Sequence, residues 1–336
     1  SADIVAMART WIADPEWGKK IESGEAHRIR PCMSCNQACV GFVFRGLPGS
    51  CVINPVAGRE SELGDPGLSE KPQAVAVIGG GPAGLEAARV LAMRGHHVSL
   101  YEQQAELGGQ MRLAAAAPHR EEMLTALAWW KDELERLQVR VHLNHTVTSQ
   151  KDLDADTVIW ATGADPGHTA LWRIRPYLFD GIPGTESLAS GRAVLSGDAQ
   201  AKGSVLVIDE EGGWPAVSLV ETLAANPDVS HVTVTTPERS LGEAALTLTW
   251  EIKSVAARLR EDDGVTVLTE STVKDVKDSH ATLSNGEAIG PFDTIIINTG
   301  TAANPVPDDA LAVGDCVAPR GIWAATSDAA KLARTL

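Results

Sequence analysis

Two hydrophobic rhythms alternate along most of this chain. Between residues 72 and 163, short continuous apolar runs are followed by stretches where apolar residues recur every three or four positions. The first rhythm predicts buried strands and the second predicts amphipathic helices. "QAVAVIGGG" (73–81) reads as a strand running into a glycine turn, and "PAGLEAARVLAMRG" (82–95) as a helix with Gly95 beyond its end. "HHVSLYE" (96–102) is the next strand, "HREEMLTALAWWKDELERLQ" (119–138) a long amphipathic helix, and "DTVIWATG" (156–163) another buried strand. The alternation restarts at "GSVLVID" (203–209), includes "HVTVTTP" (231–237) and "DTIIINTG" (293–300), and the tail ends in a helix.

Three stretches break the rhythm. In residues 1–25, "DIVAMA" (3–8) reads as a strand and "DPEWGKKIESG" (14–24) as a helix that Asp14 caps and Pro15 starts. A strand and a helix alone make no domain, so this is expected to be the end of something larger. Residues 26–70 show no periodicity, and residues 164–200 are rich in Gly, Pro and Ser; both are expected to be irregular.

The phrase "DTVIWATGA" recurs as "DTIIINTGT", which marks the two alternating blocks as internal copies. The expected fold class is α/β, with two nucleotide-binding, Rossmann-like domains, the second inserted in the first. Residues 71–165 and 300–336 form the first domain, and 166–299 the linker and second domain. Composition narrows the partners. Hydrophobic residues make up 44% of the chain, enough for real cores. A net charge of −15 argues against nucleic acid, whose phosphates require a basic surface. No apolar run is long enough to span a bilayer, and no signal or lipidation motif stands out, so no membrane partner is expected. Four clustered cysteines and one distant one make a poor disulfide framework and suit a reducing compartment. The expectation is a soluble cytoplasmic protein.

The first block carries G-x-G-x-x-G at Gly79, Gly81 and Gly84, directly after a strand and opening a helix, with Ala83 inside the motif. Gly79 permits the tight turn, Gly81 admits a pyrophosphate to the backbone, and Gly84 allows close helix–strand packing. The helix N-terminus offers free N–H groups to phosphate. Glu102 ends the next strand, where an acid accepts hydrogen bonds from ribose hydroxyls. An ADP moiety is therefore expected here. "LGGQ", with Gly109 and Gln110, and the late "VGDCVAP", with Asp315, resemble the flavin-binding pattern of the pyridine-nucleotide disulfide oxidoreductases. That resemblance implies FAD, with the late acid reaching the ribityl chain. Cys316 beside the motif reads as a buried structural thiol.

The matching stretch of the second block is "VLVIDEEGGWPAVSLVETLA". With Val207–Ile208 aligned on Val77–Ile78, the glycine turn is replaced by Asp209, Glu210 and Glu211, and the spacing to the helix grows by two. Three carboxylates where a pyrophosphate should lie repel it. NAD(P)H is not expected to bind there in the usual way; Arg239, beyond the second strand, is the weaker option for a 2′-phosphate contact.

Cys32, Cys35, Cys39 and Cys51 follow the spacing C-x2-C-x3-C-x11-C. Structural zinc favours two separated knuckles. Three cysteines in one tight run with a fourth returning from a loop suit an iron–sulfur cluster, whose irons each take one thiolate. Disulfides between such near neighbours are strained. Spacing alone favours iron–sulfur and leaves zinc open.

"CMSCNQACVGFVFRGLPGSCVINPVAGRE" (32–60) resembles the [4Fe-4S] segment of the iron–sulfur flavoproteins that include trimethylamine dehydrogenase, histamine dehydrogenase, N-methyl amine demethylases and 2,4-dienoyl-CoA reductase. The resemblance runs through essentially the whole chain in the same order. It implies an FMN-bearing (β/α)8 barrel ending at residues 1–25, a [4Fe-4S] segment at 26–70 held by the four cysteines, and the two nucleotide-binding domains. "DIVAMARTWIADPEW" resembles the barrel's last strand and helix, which implies that Arg9 lies against the FMN phosphate. The first pocket then takes FAD, or ADP as in trimethylamine and histamine dehydrogenases.

The implied activity is an amine dehydrogenase or demethylase passing electrons from FMN through the cluster to an electron-transferring flavoprotein, in a homo-oligomer. Two alternatives are a reductase fed by NADPH, and an electron-transfer subunit whose barrel sits on another chain. No catalytic acid, base or nucleophile is expected in this chain. The histidines, including His96, His97 and His119, read as solvent or packing residues, and Trp129 and Trp130 as core or interface.

Overall fold

The computed structural model describes residues 3–168, 175, 178, 180–247 and 249–336. They fall into two compact units: residues 1–112, 122–164 and 303–336 form unit 1, and residues 113–121 and 165–302 form unit 2. Residues 1–70 belong to unit 1 with the first nucleotide fold. The segment 113–121, expected within the first domain, packs with unit 2 instead.

In chain order, unit 1 supplies β1 (Ala74–Ile78), β2 (His97–Tyr101), β3 (Arg140–His142) and β4 (Thr157–Trp160). β5 (Ala164–Pro166) leads out of it. Unit 2 follows with β6 (Ala189–Ser190), β7 (Gly203–Asp209), β8 (Val229–Thr235), β9 (Val265–Leu268), β10 (Val273–Lys277), β11 (His280–Leu283), β12 (Ala288–Ile289) and β13 (Thr294–Asn298). β14 (Thr301–Ala303) pairs with β5, and β15 (Leu311–Ala312) rejoins the first sheet.

The two large sheets have one design. The first runs β15-β4-β1-β2-β3 and the second β6-β13-β7-β8-β9, each with parallel pairing throughout. In both, the strand order turns back beside one central strand, β1 in the first sheet and β7 in the second, the place where open α/β sheets receive ligands. The duplication reaches single hydrogen bonds. Asp156 Oδ2 accepts from Ala74 N at 2.8 Å, and Asp293 Oδ2 accepts from Ser204 N at 2.8 Å, so the Asp-Thr pair anchors the same strand start in each copy. β10, β11 and β12 form a separate antiparallel sheet in unit 2.

The unit 1 core lies between its sheet and three helices, Pro82–Met93, Glu122–Arg136 and Ile322–Thr335. Leu85, Leu91, Leu100, Trp130 and Ile159 are fully buried there. The C-terminal helix buries Ala325, Ala329 and Ala333, residues small enough to let it lie close along Pro82–Met93. Trp129 and Trp130 are both core residues, one of the two roles expected of them.

The N-terminal stretch departs from expectation. Residues 3–8 form no strand, because among the described residues no neighbour pairs with them and an unpaired strand leaves its N–H and C=O groups unsatisfied. Short helices cover Arg9–Ala13 and Trp17–Glu22. Asp14 is not the cap of the second helix. Its carboxylate accepts from Glu16 N at 3.0 Å, Lys20 Nζ at 2.7 Å and Arg30 N at 2.7 Å, which ties the helices to the cysteine segment. Burial alone raises the Asp14 pKa, but these donors outweigh it and hold it below the usual carboxylate value. Residues 26–70 are less irregular than expected. A π-helical turn at Gln37–Gly41 runs into a short helix at Phe42–Phe44, and Met33, Ala38, Phe42, Val52 and Ile53 join the unit 1 core. Of the irregular stretch expected over 164–200, residues 169–174, 176, 177 and 179 lie outside the described residues.

Candidate functional site

The glycine turn after β1 shows why each glycine is there. A Cβ at Gly79, whose φ is +108°, would stand 2.3 Å from Ala161 O. A Cβ at Gly84 would stand 1.8 Å from Gly79 O. Those two glycines serve the protein's own packing. Gly81 differs: its φ of −77° suits any residue, and a Cβ there would meet nothing within 4 Å. The open space over Gly81 is a cradle that nothing in the chain fills, at the N-cap of the Pro82–Met93 helix. This geometry fits a pyrophosphate.

The other residues expected at this site gather around the turn. Glu102 is buried; its Oε2 accepts from Gly80 N at 2.7 Å and its Oε1 from Gln104 N at 2.8 Å. These bonds fix the carboxylate at the strand end, and its remaining lone pairs can accept ribose hydroxyls. Gly109 takes φ +50° and lies against Gly81, since a Cβ on it would be 3.2 Å from Gly81 Cα. Gln110 opens the helix Gln110–Ala116 and donates from Nε2 to Ala164 O at 3.2 Å. Gly314 approaches Ala83 so closely that a Cβ on Gly314 would stand 2.7 Å from Ala83 Cβ. That approach brings Asp315 to the start of the helix, where its Oδ1 accepts from Arg320 N at 3.0 Å. Cys316 is buried and its thiol donates to Val313 O at 3.2 Å, a packing role as expected. His96 is buried and accepts from Gln73 N at Nδ1, while His97 and His119 are exposed.

The second site in unit 1 is a cavity lined by all four clustered cysteines with Arg9, Ile12, Met33, Asn36, Ala38, Val52 and Ile53. Its wall is largely apolar. Burial pushes the Cys35 thiol up to about 12 and raises Cys51, and each thiol's pKa is further raised by charge on neighbouring cysteines. N–H groups already point at the sulfurs: Gln37 N at Cys35, and Ile53 N and Asn54 N at Cys51. Thiols this hard to ionise are held as thiolates by metal.

Four thiols lining one cavity make a donor set that fits an iron–sulfur cluster, whose irons each take one thiolate.

Arg9 stands at the start of its helix rather than after a strand. It is exposed and donates from Nη1 to Asn36 Oδ1 at 2.5 Å. Asn36 lies between Cys35 and Cys39 with φ +53°. Sequence reasoning missed Asn36 in the cavity wall and gave Asp14, which accepts from Arg30 N, a different role as a helix cap. Only Asn36 carried a signal, an Asn in a cysteine-rich turn where a left-handed residue is common.

In unit 2 the turn after β7 is wider by two residues, as the alignment required, and leads into the helix Trp214–Ala224. Two of its three carboxylates, those of Asp209 and Glu210, are buried inward. Asp209 is fully buried and folds back on its own turn. Its Oδ1 accepts from Glu211 N at 3.0 Å, Gly212 N at 3.1 Å and Asn298 Nδ2 at 2.9 Å. Glu210 is also buried and pairs with Arg175. Burial pushes Asp209 up to about 6 and Glu210 to about 7. The expected repulsion is thus replaced by occupation: an internal carboxylate takes the turn's N–H groups. Arg239 is exposed beyond β8, and its backbone N–H donates to Glu243.

Fold and turn together define a nucleotide-binding oxidoreductase. Residues 73–316 match the pyridine nucleotide-disulphide oxidoreductase family, and the chain belongs to it, in the group that includes the amine dehydrogenases and alkene reductases. It is 44% identical over 168 residues to the NADH oxidase of Thermoanaerobacter brockii, covering 49% of this chain and 26% of that protein. It is 31% identical over 380 residues to the N,N-dimethylglycine/sarcosine dehydrogenase of Chromohalobacter salexigens, covering 99% and 54%. The solved 6-hydroxypseudooxynicotine amine oxidase of Pseudomonas geniculata N1 matches with a TM-score of 0.86 at 28% identity, covering 99% of this chain and 52% of that one. The chain therefore spans between 26% and 54% of these relatives' lengths. Among the described residues no helix is long and apolar enough to cross a membrane.

Proposed function

We propose that this chain is the electron-transfer portion of a flavin-dependent amine dehydrogenase or N-demethylase. The observation that carries this reading is the filled turn of unit 2. With Asp209 accepting the turn's N–H groups and Glu210 buried on Arg175, a nicotinamide cofactor finds no usual pyrophosphate seat, so electrons leave through this chain rather than enter it. The names of several relatives, a dimethylglycine/sarcosine dehydrogenase and a dimethylamine dehydrogenase among them, support secondary or tertiary methylamines as substrates.

The residues have distinct tasks. Cys32, Cys35, Cys39 and Cys51 hold a [4Fe-4S] cluster, which when bound supplies one-electron exchange between a two-electron flavin and its acceptor. Gly79, Gly81, Ala83 and Gly84 seat the pyrophosphate of FAD or ADP, Glu102 takes the ribose, and Gly109, Gln110 and Asp315 close the far side. Arg9 meets the phosphate of an FMN carried by a (β/α)8 barrel, in cis or in trans. Apolar walls around the cysteines exclude water, and the N–H groups of Gln37, Ile53 and Asn54 stabilise negative sulfur. The acceptor is an electron-transferring flavoprotein, and the protein works as a homo-oligomer.

Anaerobic rapid mixing of the native protein tests this. Secondary and tertiary methylamines should bleach the flavin within turnover time, and NADH and NADPH should not. Rapid bleaching by a nicotinamide cofactor would instead favour a reductase, the direction suggested by the NADH oxidase relative.

A further inference from the structure

Cys51 is tethered on both sides to one helix. Trp323 Nε1 donates to Ser50 Oγ at 3.3 Å, and Thr326 Oγ1 donates to Val52 O at 2.7 Å. Trp323 and Thr326 stand three positions apart, so they share one face of the C-terminal helix Ile322–Thr335. Thr326, Ser50 and Val52 are all buried. Thr326 Oγ1 is also 3.2 Å from Ile322 O and from Trp323 O in its own helix, but a hydroxyl has one proton and the shortest distance is to Val52 O. The Trp323 ring is fixed by an edge-on contact with Phe42, centroids 4.8 Å apart, and by the Arg59 guanidinium carbon 4.8 Å from its centre. Ser50 N donates to Ala38 O at 2.7 Å, so the same tether reaches the residue before Cys39.

The start of this helix also meets the nucleotide turn. A Cβ on Gly314 would stand 2.7 Å from Ala83 Cβ and 3.5 Å from Ala325 Cβ. Gly314 is therefore enclosed between the glycine turn and the residue before Thr326. Asp315 Oδ1 accepts from Arg320 N at 3.0 Å, directly before the helix N-cap Gly321.

We propose that the C-terminal helix couples the two sites of unit 1, so that a nucleotide seated at Gly81 and Asp315 slows loss of the group held by Cys51. This rests on the readings that the glycine turn binds nucleotide and that the cysteines hold a [4Fe-4S] cluster. Iron leaves a buried site only when its ligands open locally. Opening at Cys51 breaks the Thr326 and Trp323 bonds or moves the helix that makes them. Moving that helix shifts Ala325 against Gly314 and takes apart the nucleotide seat. A nucleotide that binds only the closed arrangement opposes that opening by mass action. Thr326 and Trp323 touch no substrate; they are positioning residues.

The test follows iron release from the nucleotide-free holoprotein to a ferrous chelator under anaerobic conditions, with and without added ADP. In wild type, ADP at about ten times its dissociation constant should slow release by up to about tenfold. Thr326→Val keeps the side-chain shape and removes the hydroxyl; it should release iron about fivefold faster and lose much of the ADP protection. Thr326→Ser restores the hydroxyl and should return both towards wild type. Should Thr326→Val not fold, Trp323→Phe decides, because it keeps a ring, removes the N–H and should also speed release. A wild-type rate unchanged by ADP that calorimetry shows to be bound overturns the inference alone. So does a Thr326→Val rate equal to wild type, or a Thr326→Ser rate as fast as that of Thr326→Val. A wild type that binds no ADP overturns the nucleotide reading, and one without iron or acid-labile sulfide overturns the cluster reading, each taking this inference with it.

Discussion

Gly81 and Gly84 lie three positions apart and are constrained by different things. A Cβ at Gly84 would collide with a backbone oxygen 1.8 Å away, so the fold itself forbids a larger residue. A Cβ at Gly81 would meet nothing within 4 Å, so the protein's own packing does not demand the glycine, and the open space suits a pyrophosphate. Gly84→Ala should therefore destabilise unit 1 by about 2–3 kcal/mol through overpacking. Gly81→Val should leave the melting temperature of the nucleotide-free protein close to wild type and lower the affinity for ADP or FAD at least about tenfold, a loss of about 1.4 kcal/mol. Thermal melts and calorimetric titration of both variants check this. A Gly81→Val protein that binds nucleotide as well as wild type would remove the pyrophosphate from this turn.

At the scale of elements, the β7 turn shows how a nucleotide fold keeps its shape without its ligand. Burial pushes Asp209 to about 6 and Glu210 to about 7, whereas both ionise near 4 in an unfolded chain. The folded unit thus holds more protons than the unfolded one between about pH 4 and pH 7. The stability that these two groups contribute is fully present below about pH 4 and is lost as pH rises through about 6 to 7. Asp209→Asn should reduce the stability difference between pH 5 and pH 8 by about 1.4 kcal/mol in denaturant titrations of the protein. An unchanged slope would mean that Asp209 is not the buried proton holder.

Much of this level was legible in the sequence. "DTVIWATGA" and "DTIIINTGT" proved to be equivalent strands of two sheets with one strand order, because apolar runs flanked by the same Asp-Thr pair must anchor alike. The inward folding of Asp209 was not legible. A carboxylate in a turn looks the same in sequence whether it faces a ligand or its own backbone. Residues 3–8 also misled, since an apolar run predicts a strand only when a neighbour exists to pair with it.

The whole molecule joins a thiol-lined cavity and a nucleotide turn in one compact unit, with a structurally parallel second unit whose own turn is filled. Arg9, Asn36, Asp14 and Arg30 link the N-terminal helices to the cysteine segment, and Trp129 links that segment to the nucleotide fold. The account depends above all on what the four cysteines hold. Metal and acid-labile sulfide analysis of anaerobically purified protein, with the same assay on Cys51→Ser, tests it most directly. The account predicts about four iron and four sulfide per chain, lost or reduced in the variant. About one zinc per chain with no sulfide would contradict it.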